Sequence, residues 1–222
     1  MLETVEFETA PDPRAAVIWL HGLGADGNDF APIVPELGLA ESPAIRFVFP
    51  HAPMMPVTIN NGYVMRAWYD VSYGDLEGRT KQPDEKGVRA SQAAIEQLIA
   101  RENARGAPSQ NIVIAGFSQG GAIALQTGLR YRERLAGIMA LSTYLPLAET
   151  LPAEAAAANR SIPVFYAHGS EDQVIPIAMA ETSCRVLGAN GYNVEWHRYT
   201  MQHSVCIEEI RDMGAWLAQV LG

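Results

Sequence analysis

Residues 112–125 read IVIAGFSQGGAIAL, with a single hydroxyl-bearing residue, Ser118, set between Gly116 and Gly120. An apolar, β-branched run leads into the serine and a run of small residues with helical spacing leads out. The pattern is that of a buried strand turning sharply into a packed helix. In a Gly-x-Ser-x-Gly turn the serine is held with strained backbone dihedrals, so its hydroxyl projects from the end of the sheet. The flanking glycines are needed because a Cβ at either place would strike the neighbouring strand or helix. The helix that follows aims its unpaired N–H groups at the serine, which favours negative charge developing there. The five-residue pattern alone arises by chance in about one chain of this length in ten to twenty, so its surroundings have to carry the reading. The alternative is a glycine-lined turn whose serine caps the helix.

Further strand-like runs lie on either side: AAVIWL (15–20), IRFVF (45–49), NIVIAG (111–116), AGIMALS (136–142) and IPVFYAHG (162–169). VEWHRY (194–199) alternates more strongly and predicts a strand near a sheet edge. Val88, Ser91, Ile95, Leu98 and Ile99 mark one face of a helix over 85–104, and Ile207, Ile210, Met213, Leu217 and Val220 do so for the last helix. AEAAAANR (153–160) is a short Ala-rich helix candidate. Strands alternating with helices predict an α/β fold over residues 1–222 as one domain, with a mostly parallel central sheet and helices on both faces. In such sheets ligands collect beyond the C-terminal ends of the strands. The connection from Pro50 to Lys86 is long for a compact domain and rich in apolar residues. It reads either as an extra hairpin packed on the core or as a wall against substrate.

A serine hydroxyl needs a base and a carboxylate to orient that base. The chain order nucleophile, acid, histidine is met by Ser118, Asp172 in HGSEDQVIP and His203 in YTMQHSVC, each just past a predicted strand. Glu171 is the rival acid. His197 falls within a strand on a solvated face, His168 ends a strand where it satisfies backbone groups, and His51 has no evident partner. His21 opens HGLGADGND directly after the first core strand, a turn suited to the second half of an oxyanion hole. The donors would be the backbone N–H groups of Leu23 and Gln119. The same loop lacks the P-loop ending and the dinucleotide spacing, so a phosphate cradle is the weaker reading.

Composition narrows the classes further. The 222 residues carry a formal net charge of −9 with no Lys/Arg cluster, which opposes nucleic-acid binding and gives no bulk attraction to anionic membranes. Cys184 and Cys206 match neither a disulfide framework nor a metal-ligand spacing, and read as buried free thiols in a reducing compartment. No signal peptide or transmembrane run is visible, so a cytoplasmic protein without a membrane span is expected.

Taken together, HGLGADGNDF, PHAPMMPVTINNGYVMRAWYD, GFSQGGAIAL, LSTYLP, HGSEDQVIP and YTMQHSVCIEE resemble the phospholipase/carboxylesterase family, which includes small carboxylesterases and acyl-protein thioesterases. The match runs from about His21 to Glu209, with the motifs in family order. The resemblance implies an α/β-hydrolase fold without a large cap, no cofactor and no metal, and hydrolysis of a small-molecule ester or an acylated substrate. It places catalysis on Ser118, Asp172 and His203, with the oxyanion donors at Leu23 and Gln119. It also implies that Met65, Trp68 and Tyr69 border an apolar acyl groove. Thr143, in LSTYLP, stands where the family often has glycine or another small residue and would set the width of that groove. A short-to-medium-chain carboxylesterase is the expected activity, with an acyl-protein thioesterase or lysophospholipase as the alternative. Apolar residues near the groove would meet a twin molecule in a homodimer, or else lipid or substrate.

Overall fold

A strand with no polar face has to be covered on both sides, and the second apolar run illustrates how. The structure, a computed structural model, describes residues 1–39, 42–76 and 84–222. Its seven-stranded sheet has the order β1–β3–β2–β6–β7–β8–β9. The strands are β1 (Thr4–Glu8), β2 (Ala15–Leu20), β3 (Ile45–Pro50), β6 (Ile112–Phe117), β7 (Gly137–Leu141), β8 (Val164–Gly169) and β9 (Val194–Tyr199). All are parallel except β1, which pairs antiparallel with β3 at one edge. Successive side chains of a strand point to opposite faces. Ala16, Ile18 and Leu20 of β2 therefore enter a core with Val88, Ile95 and Leu98, whereas Ala15, Val17 and Trp19 join Met213, Trp216 and Leu217 on the other face.

The helices are α1 (Tyr73–Leu76), α2 (Glu85–Ala104), α3 (Gln119–Arg130), α4 (Leu151–Glu154), α5 (Ile177–Ala189) and α6 (Ile207–Leu221). Asp84 caps α2 by accepting the Gly87 amide at 2.9 Å, and the apolar stripe anticipated on that helix is buried throughout. β9 lies at the sheet edge, as its alternation implied. The α6 stripe needs correcting. Ile207 is 63% exposed, and Trp216 takes a share of the buried face. The Ala-rich 153–160 segment is not one helix either: α4 ends at Glu154 and a 3-10 turn spans Ala157–Asn159. There the buried Asn159 side chain accepts the Leu135 amide and donates to the carbonyls of Tyr131 and Glu133, a tertiary demand that overrides alanine's helix preference. Strand β1 was not legible beforehand; its residues are largely exposed and gain a partner only through β3.

The long connection after β3 resolves into the antiparallel hairpin β4 (Met54–Val57) and β5 (Tyr63–Arg66), followed by Ala67, Trp68 and Tyr69, all buried. Its segment 77–83 lies outside the described residues. Cys184 and Cys206 are free and half-buried rather than fully buried. Among the described residues, no helix is long and apolar enough to cross a membrane.

Candidate active site

Ser118 follows the last residue of β6 and caps α3 with φ 55° and ψ −122°, a left-hand φ that L-residues avoid. Its side chain makes no capping hydrogen bond, so a structural cap does not account for it. The strain is held in place from several sides. The Ser118 amide donates to Leu141 O at 2.8 Å, and Thr143 Oγ1 donates to Ser118 O at 2.7 Å. A Cβ on Gly116 would collide with the backbone of Gly120 and Gly121, and one on Gly120 with the carbonyls of Leu20 and His21. The turn closes this tightly only because both positions are glycine.

Three side chains from three strand ends meet at this corner. Ser118 Oγ lies 3.0 Å from His203 Nε2, and His203 Nδ1 lies 2.7 Å from Asp172 Oδ2. An ionised carboxylate only accepts, so Nδ1 carries the proton and Nε2 is left to accept from the serine. The Phe117 ring packs 4.7 Å from the imidazole, centroid to centroid. Asp172 is buried, which raises its pKa, but the hydrogen bond from His203 and the amides of Ile175 and Val174 on Oδ1 more than offset this and hold it below its ordinary value. His168 donates Nε2–H to Ile175 O at 2.8 Å and stands 3.4 Å from Asp172 Oδ2; burial depresses its pKa, so it stays neutral beside the acid. Glu171 is exposed and does not reach His203.

The loop after β2 forms the opposite wall. His21 is buried, which lowers its pKa; its Nε2 accepts the Ala52 amide at 3.0 Å, leaving Nδ1–H to donate to Gly22 O at 2.7 Å. Gly24, at φ 77°, donates its amide to Arg66 O of β5. His51, for which no partner was evident, accepts the Gly27 amide at 3.1 Å. These ties hold the loop that carries Leu23; Gly22, Leu23, Gln119 (the residue after the serine), Ser118 and His203 line one cavity of about 340 Å³.

Of the wall residues named from the sequence, Tyr69 lines this cavity and Met65 and Trp68 do not. Trp68 is buried behind it. Its indole N–H donates to His21 O at 2.9 Å, and its amide donates to the Gln119 side-chain oxygen at 2.8 Å. Ser91 donates to Trp68 O. Gln119 Nε2 in turn donates to Tyr69 O at 2.7 Å, so this side chain stitches the 68–69 segment to the nucleophile turn. Met65 packs with Leu23 and Val57 in a small separate cluster. Thr143 does not line the groove either; it is fully buried and braces the turn from below, while the next residue, Tyr144, reaches the cavity. Tyr144 was not singled out beforehand. Among the described residues, no group of His, Cys, Asp and Glu could hold a metal ion.

A parallel sheet covered on both faces, with a strained serine at the tip of a central strand, is the architecture of the α/β hydrolases, and the chain is a serine hydrolase of that class. It belongs to the phospholipase/carboxylesterase family, whose model matches residues 3–221. It is 39% identical over 215 residues to acyl-protein thioesterase 1 of Neurospora crassa, covering 93% of this chain and 87% of that protein. To acyl-protein thioesterase 1 of Gibberella zeae it is 35% identical over 221 residues, covering 97% and 94%. The crystal structure of Zea mays acyl-protein thioesterase 2 superimposes with a TM-score of 0.86 at 29% identity, covering 100% of both chains. That of Arabidopsis thaliana SOBER1 gives 0.85 at 30% identity, covering 94% of this chain and 100% of that one.

Proposed function

We propose that this chain is a serine carboxylesterase that hydrolyses esters of short to medium acyl chains through an acyl-enzyme. Ser118 attacks the carbonyl carbon while His203 Nε2 takes its proton, and Asp172 fixes the imidazole tautomer and stabilises the imidazolium. The oxyanion rests on the amides of Leu23 and Gln119, each worth about 3–4 kcal/mol of transition-state stabilisation. His203 then gives its proton to the leaving alcohol. In the second half it activates water against the acyl-enzyme, releasing the acid and restoring Ser118.

The observation that carries this reading is the hydrogen-bonded row from Ser118 through His203 to Asp172, opening into a mainly apolar cavity. A second reading, hydrolysis of thioesters on acylated proteins, is favoured by the names of the fungal relatives; a lysophospholipid would use the same apolar contacts. The test is kcat/KM over p-nitrophenyl esters of two to sixteen carbons and matched acyl thioesters, with Ser118→Ala alongside. A Ser118-dependent maximum at short or medium oxygen esters is expected. Preference for long-chain thioesters would move the assignment to the second reading, and turnover that survives Ser118→Ala would overturn both.

A further inference from the structure

Two further cavities adjoin residues of the one that holds Ser118. One of about 180 Å³ runs along Asp75, Asp84 and Val88, and one of about 370 Å³ lies along the start of α5, lined by Ala178, Met179 and Val186. Tyr144 lines all three, and Tyr69 lines the first two. The two phenol oxygens stand 2.8 Å apart, a hydrogen bond joining the segment after β5 to the segment after β7. Tyr69 is pinned further by the Gln119 side chain on its carbonyl. Nothing else among the described residues is common to the serine cavity and the α5 groove.

We propose that the Tyr69–Tyr144 pair is the partition that ends the acyl site, so that these two residues set the longest chain accepted and the α5 groove is an acyl extension closed off by them. This rests on the ester-hydrolase reading above. Each methylene buried contributes about 0.8 kcal/mol, close to fourfold in binding, as long as apolar wall remains to receive it. With the phenols hydrogen-bonded, the gain stops where the chain meets the rings. Lengthening it further would require breaking the pair and leaving two buried hydroxyls unpaired. With the Tyr144 ring removed, the serine cavity runs on into the α5 groove, whose wall of Leu145, Ala148, Met179 and Val186 is apolar, and the fourfold steps resume. Thr143, the residue beside it, does not serve this purpose because its side chain is turned beneath Ser118.

The experiment is the chain-length profile of kcat/KM for wild type, Tyr144→Ala and the milder Tyr144→Val, each checked for folding by thermal melt. A third protein adds Ala178→Trp, at an exposed groove position, to Tyr144→Ala. The readout is the ratio of long-chain to short-chain kcat/KM within each protein, which a general loss of activity or stability does not move. The expected result is a rise of at least tenfold in that ratio for Tyr144→Ala, a smaller rise for Tyr144→Val, and return towards wild type when Ala178→Trp fills the groove. A wild type that already prefers sixteen carbons, a ratio unmoved in both Tyr144 variants, or a gain that survives Ala178→Trp would each overturn the partition. Binding of alkyl carboxylates of six to sixteen carbons to Ser118→Ala, with and without Tyr144→Ala, reads the same cut-off without turnover. Failure of ester hydrolysis would therefore sink the catalytic reading alone.

Discussion

Two carboxyls in this molecule are equally hidden from water and titrate in opposite directions. Asp172, in the loop after β8, has a side chain with no exposure, yet its pKa lies below the ordinary value because two amides and an imidazole N–H donate to it. Glu209, in the first turn of α6, is also fully buried, but neither oxygen has a well-formed hydrogen bond among the described residues, the Cys206 backbone being the one donor near it. Burial pushes Glu209 up to about 8; the Cys206 backbone pulls the other way, and Asp212 adds repulsion. Donors, and not depth, decide which buried acid stays ionised. The ionised one accepts the imidazole N–H of His203, and the neutral one lies in the first turn of a helix.

The largest effect should come from removing the charge while keeping the shape. Asp172→Asn is expected to lower kcat about 10⁴-fold, because the amide stabilises the wrong imidazole tautomer, whereas Glu171→Gln should stay within a few-fold of wild type. Steady-state kinetics on one ester decides it, and a loss below tenfold at Asp172 would make the contrast between the two buried acids structural only.

Glu209 gives the next effect, on stability. Burial raises its folded pKa from the ordinary carboxyl value of 4.5 to about 8, so the folded state holds a proton that the unfolded state loses. Stability is full below pH 4.5 and declines as pH rises through 8, by on the order of 3–5 kcal/mol in all. Glu209→Gln should flatten the denaturant midpoint between pH 5 and pH 8 on this scale, and an unchanged slope would show that water or a rearranged donor reaches the carboxyl. The smallest effect belongs to Glu154, which is 30% exposed and paired with Arg89 and Arg130. The Arg89 hydrogen bond, with those from Thr150 and Arg130, lowers its pKa to about 2, so its contribution is present above pH 4.5 and is lost as pH falls through 2. Solvent screening limits it to about 1 kcal/mol or less. Glu154→Gln should cost that amount at pH 6 and nothing near pH 2, read from urea midpoints.

Much of the frame was legible because it rests on periodicity. β2 and β6 are uninterrupted apolar runs, and β3 and β8 are broken only by Arg46 and His168, since both faces are covered. Helix α2 announced its buried face at helical spacing. Ser118, Asp172 and His203 were legible from chain order and from their places after strands. Trp68, Met65 and Thr143 were harder. A large apolar residue, or one beside the groove motif, is equally compatible with lining a cavity and with bracing it from behind. Which of the two holds depends on what lies across the loop. His51 shows the same limit, since its partner Gly27 is brought to it only by the folded loop after β2.

By itself, then, the sequence determined the central strands and the two long amphipathic helices, the strained glycine-flanked turn and the identity of the three groups that meet there. Hydrophobic period and steric size are local properties, and both are written residue by residue. The tertiary structure alone decided that Tyr69 and Tyr144, 75 positions apart, are hydrogen-bonded to each other in the wall of the cavity, and that Asp172 is ionised while Glu209 is not. Those outcomes depend on which donors and which rings approach across the fold, and no stretch of chain carries that information on its own.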